Sequence, residues 1–235
     1  MMGSFDGSDS IIRRIYDDIY RHHEDVWVDQ GRSEQFMTYL SDIARTLSSG
    51  NVLEIGCGEG ILLASLSGVQ KFGIDPSVKA LTRAKQRSGA ECAVARAEAL
   101  PFQSEMFDLI VSVGVMEHFE NPEAATAELR RVLTRSGHYI ALFHTDMGWQ
   151  DRLALKVKEF VFPRFRPKAF ISWITKKARH PIVQPLRKSY TQESARELLE
   201  RHGLSVTQII CRDTQPAAPL AGPHVTIFIA KHTAN

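Results

Sequence analysis

Residues 52–60, VLEIGCGEG, hold the first arrangement of types and spacing that could do chemistry. An apolar run opens into glycines at 56, 58 and 60, with the carboxylate of Glu54 beside them. Glycine lets a backbone turn tightly and come close to a bound group. Strand-to-glycine junctions of this kind hold several nucleoside-containing ligands, and the spacing separates them. A triphosphate loop needs G-x-x-x-x-G-K-[ST], and no Lys follows these glycines. A dinucleotide loop needs G-x-G-x-x-G, which sets a pyrophosphate on the next helix N-terminus. Here the pattern is G-x-G-x-G, and Ile61 comes next. Glu54 sits poorly against a pyrophosphate and suits a cationic ligand. A second carboxylate, Asp75, ends the run KFGID, where it can accept both hydroxyls of a ribose. It is equally placed to cap the helix beginning at Pro76. Two histidines complete the set of reactive groups. His118 follows FDLIVSVGVME and His144 follows HYIALF, and imidazole is the side chain most often used as a general base. Each also reads as an ordinary loop histidine bonded to backbone.

The elements that must position these groups alternate along the middle of the chain. NVLEIG, KFGID, ECAVA, FDLIVSVG and HYIALF read as strands. Between them, ILLASLSG, PSVKALTRAKQRSG and NPEAATAELRRVLTRSG read as helices. Pro76 falls in a first turn, Asn121 is an N-cap, and Gly89 and Gly137 are stops. Strands joined by helical crossovers form a parallel sheet, and near-continuous apolar strands are covered on both faces. The spacing therefore predicts a doubly wound α/β domain. Two helices precede it, Ser10 to about Gln30 and Ser33 to about Ser48, while residues 1–9 read as unstructured. YTQESARELLERHG, capped by Thr191, is a further helix, and LSVTQIIC and HVTIFIAKH are two more strands. The organisation predicted is a helical cap over 1–48, a ligand-binding half over 49–144, an insert over 145–189 and a C-terminal part over 190–235.

The series E-x-G-x-G-x-G, GIDPS, AEALPF and FDLIVSVGVMEHF, in this order and spacing, resembles the class I S-adenosylmethionine-dependent methyltransferases. Within them the chain is similar to the small-molecule branch that includes the ubiquinone and menaquinone biosynthesis methyltransferases. The resemblance covers roughly residues 50–143, and more weakly 190 to the C-terminus. It implies a Rossmann-like, mostly parallel seven-stranded sheet of order 3-2-1-4-5-7-6 with strand 7 antiparallel, and an insert after strand 5. S-adenosylmethionine is the cofactor it implies, and its sulfonium agrees with the cationic ligand suggested by Glu54. Carried onto this sequence, Glu54, Gly56, Cys57, Gly58 and Gly60 line the methionine and ribose side. Asp75 holds the ribose, with Pro76 and Ser77 near the adenine and Ala97 and Glu98 at its edge. Val113 and Gly114 lie by the reactive methyl, with His118 just beyond. Tyr16 and Tyr20, on a helix that folds over the cofactor in this family, are placed to reach the methionine carboxylate or to pack on the core. One position departs from the pattern. The family's Gly-Asp before A-E-x-L-P-F is Ala95-Arg96 here, and an arginine has no acceptor for the adenine amino group. Glu98 or a backbone carbonyl then takes that role, or adenine is held less specifically.

FDLIVSVG continues as VMEHF rather than as the N-P-P-Y or D-P-P-Y that marks transfer to nucleobase or glutamine amino groups in the family. This favours a hydroxyl or an activated carbon as acceptor. Both need a proton removed, which is the role open to His144 or His118. The charge distribution bears on the acceptor as well. Residues 149–188 contain eleven Lys or Arg against two acids, for a net +9, leaving −7 on the rest of a chain whose total is +2. Aromatics are interleaved there, Trp149 and Phe160 among them. Such a segment suits a lid over a substrate pocket, a peripheral membrane contact, or an anionic partner. The expected function is methyl transfer to the hydroxyl of a small aromatic or quinone-like acceptor. The alternatives are C-methylation of a small molecule, RNA methylation through the basic insert, and cofactor binding without catalysis. Nucleic acid is disfavoured by the acidic remainder, which would repel a polyanion. Three scattered cysteines show no C-x-x-C spacing, so no metal site is expected and a reducing cytoplasm fits. The N-terminus lacks a signal-peptide pattern, and no apolar run approaches the ~20 residues of a membrane span.

Overall fold

The computed structural model describes residues 7–24, 34–47, 49–145, 188–213 and 224–233. The predicted basic insert, except Lys188, lies outside the described residues, as do 1–6. In chain order the elements are α1 (Gly7–His22), α2 (Glu34–Leu47), β1 (Asn51–Ile55), α3 (Ile61–Ser65), β2 (Gln70–Asp75), α4 (Val78–Ser88) and β3 (Glu91–Val94). There follow β4 (Phe107–Val113), a 3₁₀ turn (Met116–His118), α5 (Pro122–Val132), β5 (Leu133–Thr145), α6 (Gln192–Arg201), β6 (Leu204–Asp213) and β7 (His224–His232). They form one seven-stranded sheet of order β3-β2-β1-β4-β5-β7-β6. The pairs from β3 through to β5 are parallel, and β7 runs antiparallel to both its neighbours. The expected sheet, with its order and its antiparallel strand 7, is the observed one.

The apolar strands bury both faces because each meets a helix layer. On one face Leu53, Ile55, Phe107, Ile110 and Tyr139 pack with Leu129 of α5 and Leu199 of α6. On the other, Val52, Leu109, Val111 and Ile140 pack with Leu40 of α2 and Leu62 of α3. Alternate strand residues thus supply opposite cores, which accounts for runs without polar interruption. α1 lies at the rim, where Ile19 and Tyr20 pack on Ala80 of α4.

Several predicted boundaries move, for local reasons. α1 begins at Gly7, so residues 7–9 are helical rather than unstructured. α4 is capped by Ser77, whose hydroxyl accepts from the Ala80 N–H, so Pro76 precedes the cap instead of opening the helix. The helix after Asn121 stops at Val132, and β5 starts at Leu133. Between Leu133 and His138 the strand bulges, since these residues pair with Phe107 and Leu109 only two apart on β4. Gly137 belongs to that bulge, with no room for a β-carbon beside Leu133, and is not a helix stop. Asn121, Gly89 and Thr191 perform the capping roles their types suggest. Among the described residues no helix is long and apolar enough to cross a membrane.

Candidate functional site

The carboxyl ends of β1, β2 and β4 point at one cavity, where an open parallel sheet of this order places ligands. The glycine loop reaches its wall at Gly56. Cys57 N–H donates to the Ile74 carbonyl at 2.9 Å and Gly60 N–H to the Cys57 carbonyl at 2.8 Å, which folds the loop back between β1 and β2. Gly56, Gly58 and Gly60 all have positive φ, at 64°, 51° and 72°. Two of them are also forced by the protein itself. A β-carbon on Gly56 would lie 2.4 Å from Cγ1 of Val115, and one on Gly60 would lie 2.9 Å from the backbone of Ala84. The glycines thus serve the approach of β4 and α4 as well as any ligand.

Asp75 ties this loop to β2. Its Oδ2 accepts from Gly58 N–H at 3.1 Å and its Oδ1 from Ser77 N–H at 2.9 Å. Burial pushes its carboxyl up to about 6 from 3.8, despite these two donors, with Asp17 adding to the rise. The raised value means that Asp75's contribution to stability is complete below about 3.8 and is withdrawn as pH rises through about 6. Asp17, on α1, fixes the rim: its Oδ1 accepts from Ser77 Oγ at 2.6 Å and from Lys79 N–H at 3.2 Å. An anion at the first turn of α4 is favoured by the unpaired amides there. Arg83 adds a second tie, donating at 2.8 Å to the His23 carbonyl and at 2.7 Å to Oε1 of buried Glu59. Neither role of Asp17 nor of Arg83 had a signal in the sequence, because both depend on where α1 lands.

The opposite wall is the turn at Arg96–Ala99. Arg96 donates to Glu98 (Nη2 to Oε1, 3.2 Å) and to Oε2 of Glu120 at 2.6 Å. Oε1 of Glu98 also accepts from the N–H groups of Glu120 (2.9 Å) and Asn121 (3.3 Å) at the start of α5. Glu98 is therefore committed to holding the N-terminus of α5, and the arginine in the unusual position is clasped between two carboxylates.

The cavity wall brings together Tyr16, Tyr20, Gly56, Asp75 and Pro76 with Ala97, Glu98, Val113, Gly114 and His118. The remaining expected residues fall elsewhere among the described ones. Gly58 and Gly60 lie behind the wall, and Ser77 is spent on capping α4. Glu54 is buried in β1, and by strand alternation its side chain takes the face opposite Ile55, which does line the cavity. Cys57 turns into a buried cluster with Leu63, Leu81 and Ala84. His144 pairs through its backbone with Val225, beyond the Val113–Leu142 pair and so at the same sheet edge, and its side chain lies outside the described residues. Ile12, Ile55, Ile74, Val115 and Phe119 also line the cavity and were not anticipated. Ile55 and Ile74, as the last apolar residues of strands running into the site, carried the one signal that could have found them. Among the described residues there is no cluster of metal-binding side chains.

Residues 53–141 match the methyltransferase domain family. The chain is 33% identical over 126 residues to an uncharacterised protein of Methanocaldococcus jannaschii, covering 52% of this chain and 58% of that protein. It is 38% identical over 89 residues to the probable tRNA methyltransferase 9B of Mus musculus, covering 37% of this chain and 20% of that protein. The chain thus spans little more than half the first of these relatives and a fifth of the second. The fold is similar to that of an S-adenosylmethionine-dependent methyltransferase from Thermotoga maritima, with a TM-score of 0.62 and 21% identity over 94% of this chain and 99% of that one.

Proposed function

We propose that this chain, whose residues 53–141 match the methyltransferase domain family, transfers a methyl group from S-adenosylmethionine to a hydroxyl of a small aromatic or quinone-like acceptor. The observation that carries the donor site is one cavity lined by Gly56, Asp75 and Glu98 together with Val113 and Gly114. The donor supplies a methyl group on a positively charged sulfur. The chain's part is to align acceptor, methyl and sulfur, an effect that can supply several kcal/mol. Asp75, ionised, accepts the ribose hydroxyls. Tyr20 and Tyr16 close the cavity from α1. A small acceptor is supported by the apolar character of the wall past Gly114, formed by Val115 and Phe119. His118 on that wall, or His144 at the same sheet edge, takes the acceptor's proton.

A second reading, methylation of RNA, is favoured by the identity to a tRNA methyltransferase and by the +9 charge of residues 149–188. Tritiated S-adenosylmethionine separates the two. Label recovered in organic-extractable small molecules from a cell extract supports the small acceptor. Label in RNA, with binding that weakens steeply as salt rises, replaces it by the second reading.

The donor site has its own pH test. Only about a tenth of Asp75 is ionised one unit below a pKa of about 6, so affinity for S-adenosylhomocysteine is expected to fall about tenfold between pH 7.5 and 5. Calorimetric titration across that range checks this. An Asp75→Asn protein should lose the pH dependence, and an unchanged slope in that variant would assign the titration to another group.

A further inference from the structure

Cys57 and Cys92 are absent from the cavity wall, yet they share one apolar cluster away from it. Cys57 stands between two glycines of the loop, and Cys92 lies on β3, the outermost strand of the sheet. In the β2–β3 ladder Cys92 is the registered partner of Gly73, so its side chain takes the face that a Gly73 side chain would occupy. On that face Cys57 Sγ lies 2.7 Å from where a Gly73 β-carbon would be. The missing side chain of Gly73 is thus what lets the two sulfurs approach across β2. Both thiols are free, Cys57 buried and Cys92 partly buried, and Cys92 packs against the cluster that holds Cys57.

We propose that Cys57 and Cys92 are a reversible oxidation site: a peroxide converts them to a disulfide that distorts the glycine loop and weakens cofactor binding. This rests on the donor site assigned above. The two sulfurs divide the work. The nearby Cys57 thiol and, more weakly, the Lys85 ammonium lower the Cys92 thiol's pKa, against the effect of burial. Cys57 is held as the thiol by the nearby Cys92, by burial, and by the charges of Asp75 and Glu54, and its S–H donates to the Gly58 carbonyl at 3.9 Å. Cys92 is accordingly the attacking thiolate and Cys57 the resolving thiol. In the first step Cys92 sulfur bonds to one peroxide oxygen, the O–O bond breaks, and the departing hydroxide takes a proton to become water. In the second step Cys57 sulfur displaces hydroxide from the Cys92 sulfenic acid, and the Cys57 proton leaves with it as a second water. Two thiols lose two electrons and two protons, and one peroxide becomes two waters. A disulfide needs the sulfurs at about 2.05 Å, well inside thiol contact, so Cys57 must move toward β3. It would carry Gly56, on the cavity wall, and Gly58, whose N–H is held by Asp75.

The test uses the full chain with hydrogen peroxide, thiol counting, peptide mass spectrometry and calorimetric titration with S-adenosylhomocysteine. The expected result is loss of two thiols per chain, a Cys57–Cys92 cross-linked peptide, and affinity lowered about tenfold, all restored by dithiothreitol. Cys92→Ser protein should bind like the untreated parent and keep that affinity after peroxide. Oxidation that stops at Cys92 alone, a bond to Cys211, or a bond between two chains would overturn the proposal. So would a Cys57–Cys92 bond that leaves affinity unchanged. If the reduced parent fails to bind S-adenosylhomocysteine while the bond still forms, the donor site is wrong and the oxidation chemistry stands.

Discussion

Replacing Asp75 by alanine is expected to lower affinity for S-adenosylhomocysteine by a hundredfold or more while leaving the protein folded. The side chain is the one buried carboxylate on the cavity wall at the end of β2. Hydrogen bonds to an ionised group are worth about 1.5–3 kcal/mol each, so two ribose hydroxyls account for ~3–6 kcal/mol, or about two to four decades in affinity. Loss of the tie to Gly58 N–H adds to the effect by freeing the loop. Folding should suffer little, for a reason the titration makes plain. Burial already penalises this carboxylate, which is why its pKa stands near 6, so its removal relieves a cost while it orphans two amides. The measurement is calorimetric titration beside a thermal melt. An affinity within threefold of the parent would remove Asp75 from the ribose site, and a collapse of the melt would make its role structural.

A comparison of two glycines separates packing from backbone strain. Gly60 and Gly68 both have left-handed backbones, at φ of 72° and 74°. A β-carbon on Gly60 would strike the backbone and side chain of Ala84 at 2.9 and 3.0 Å, whereas one on Gly68 would meet nothing within 4 Å. Both alanine variants incur the left-handed penalty of about 1–2 kcal/mol. Gly60→Ala adds an overpacking cost of about 1–3 kcal/mol because α4 has no flexible side chain there to yield. At about 2–4 °C per kcal/mol for a chain of this size, Gly60→Ala should melt roughly 4–20 °C below the parent and Gly68→Ala roughly 2–8 °C below it. Melting curves of the two proteins side by side check the ordering. Equal shifts would mean that α4 retreats from the loop at no cost.

The contrast also shows where the sequence was legible. The spacing of Gly56, Gly58 and Gly60 reads as room for a ligand, and the positive φ at all three agrees with a loop that favours glycine. What crowds Gly56 and Gly60 is Val115 and Ala84, partners distant in sequence that no local pattern reveals. Cys57 was assigned to the ligand side by resemblance and lies on the other side of the loop, because the residue between two left-handed glycines turns toward β3. Asp75 was placed correctly at the end of β2, and the helix-capping half of its double reading passed to Ser77.

The sequence by itself determined the strands, the helices between them and the doubly wound parallel sheet they form, whose order it supplied only through resemblance. Those follow from apolar runs alternating with capped amphipathic helices, a signal that is local and repeated. It also supplied the basis for the donor proposed here, through the spacing of three glycines and the carboxylate one strand later. The tertiary structure alone decided which side chains share the cavity. Ile12 and Tyr16 meet Phe119 there because Asp17 anchors α1 to the start of α4, and Arg96 meets Glu120 because the segments that follow β3 and β4 come together although β2 and β1 separate those two strands. The meeting of Cys57 and Cys92 across a missing side chain has the same origin. Contacts of this kind join segments tens of residues apart, and their geometry is set by how layers pack rather than by the order of residues along either segment.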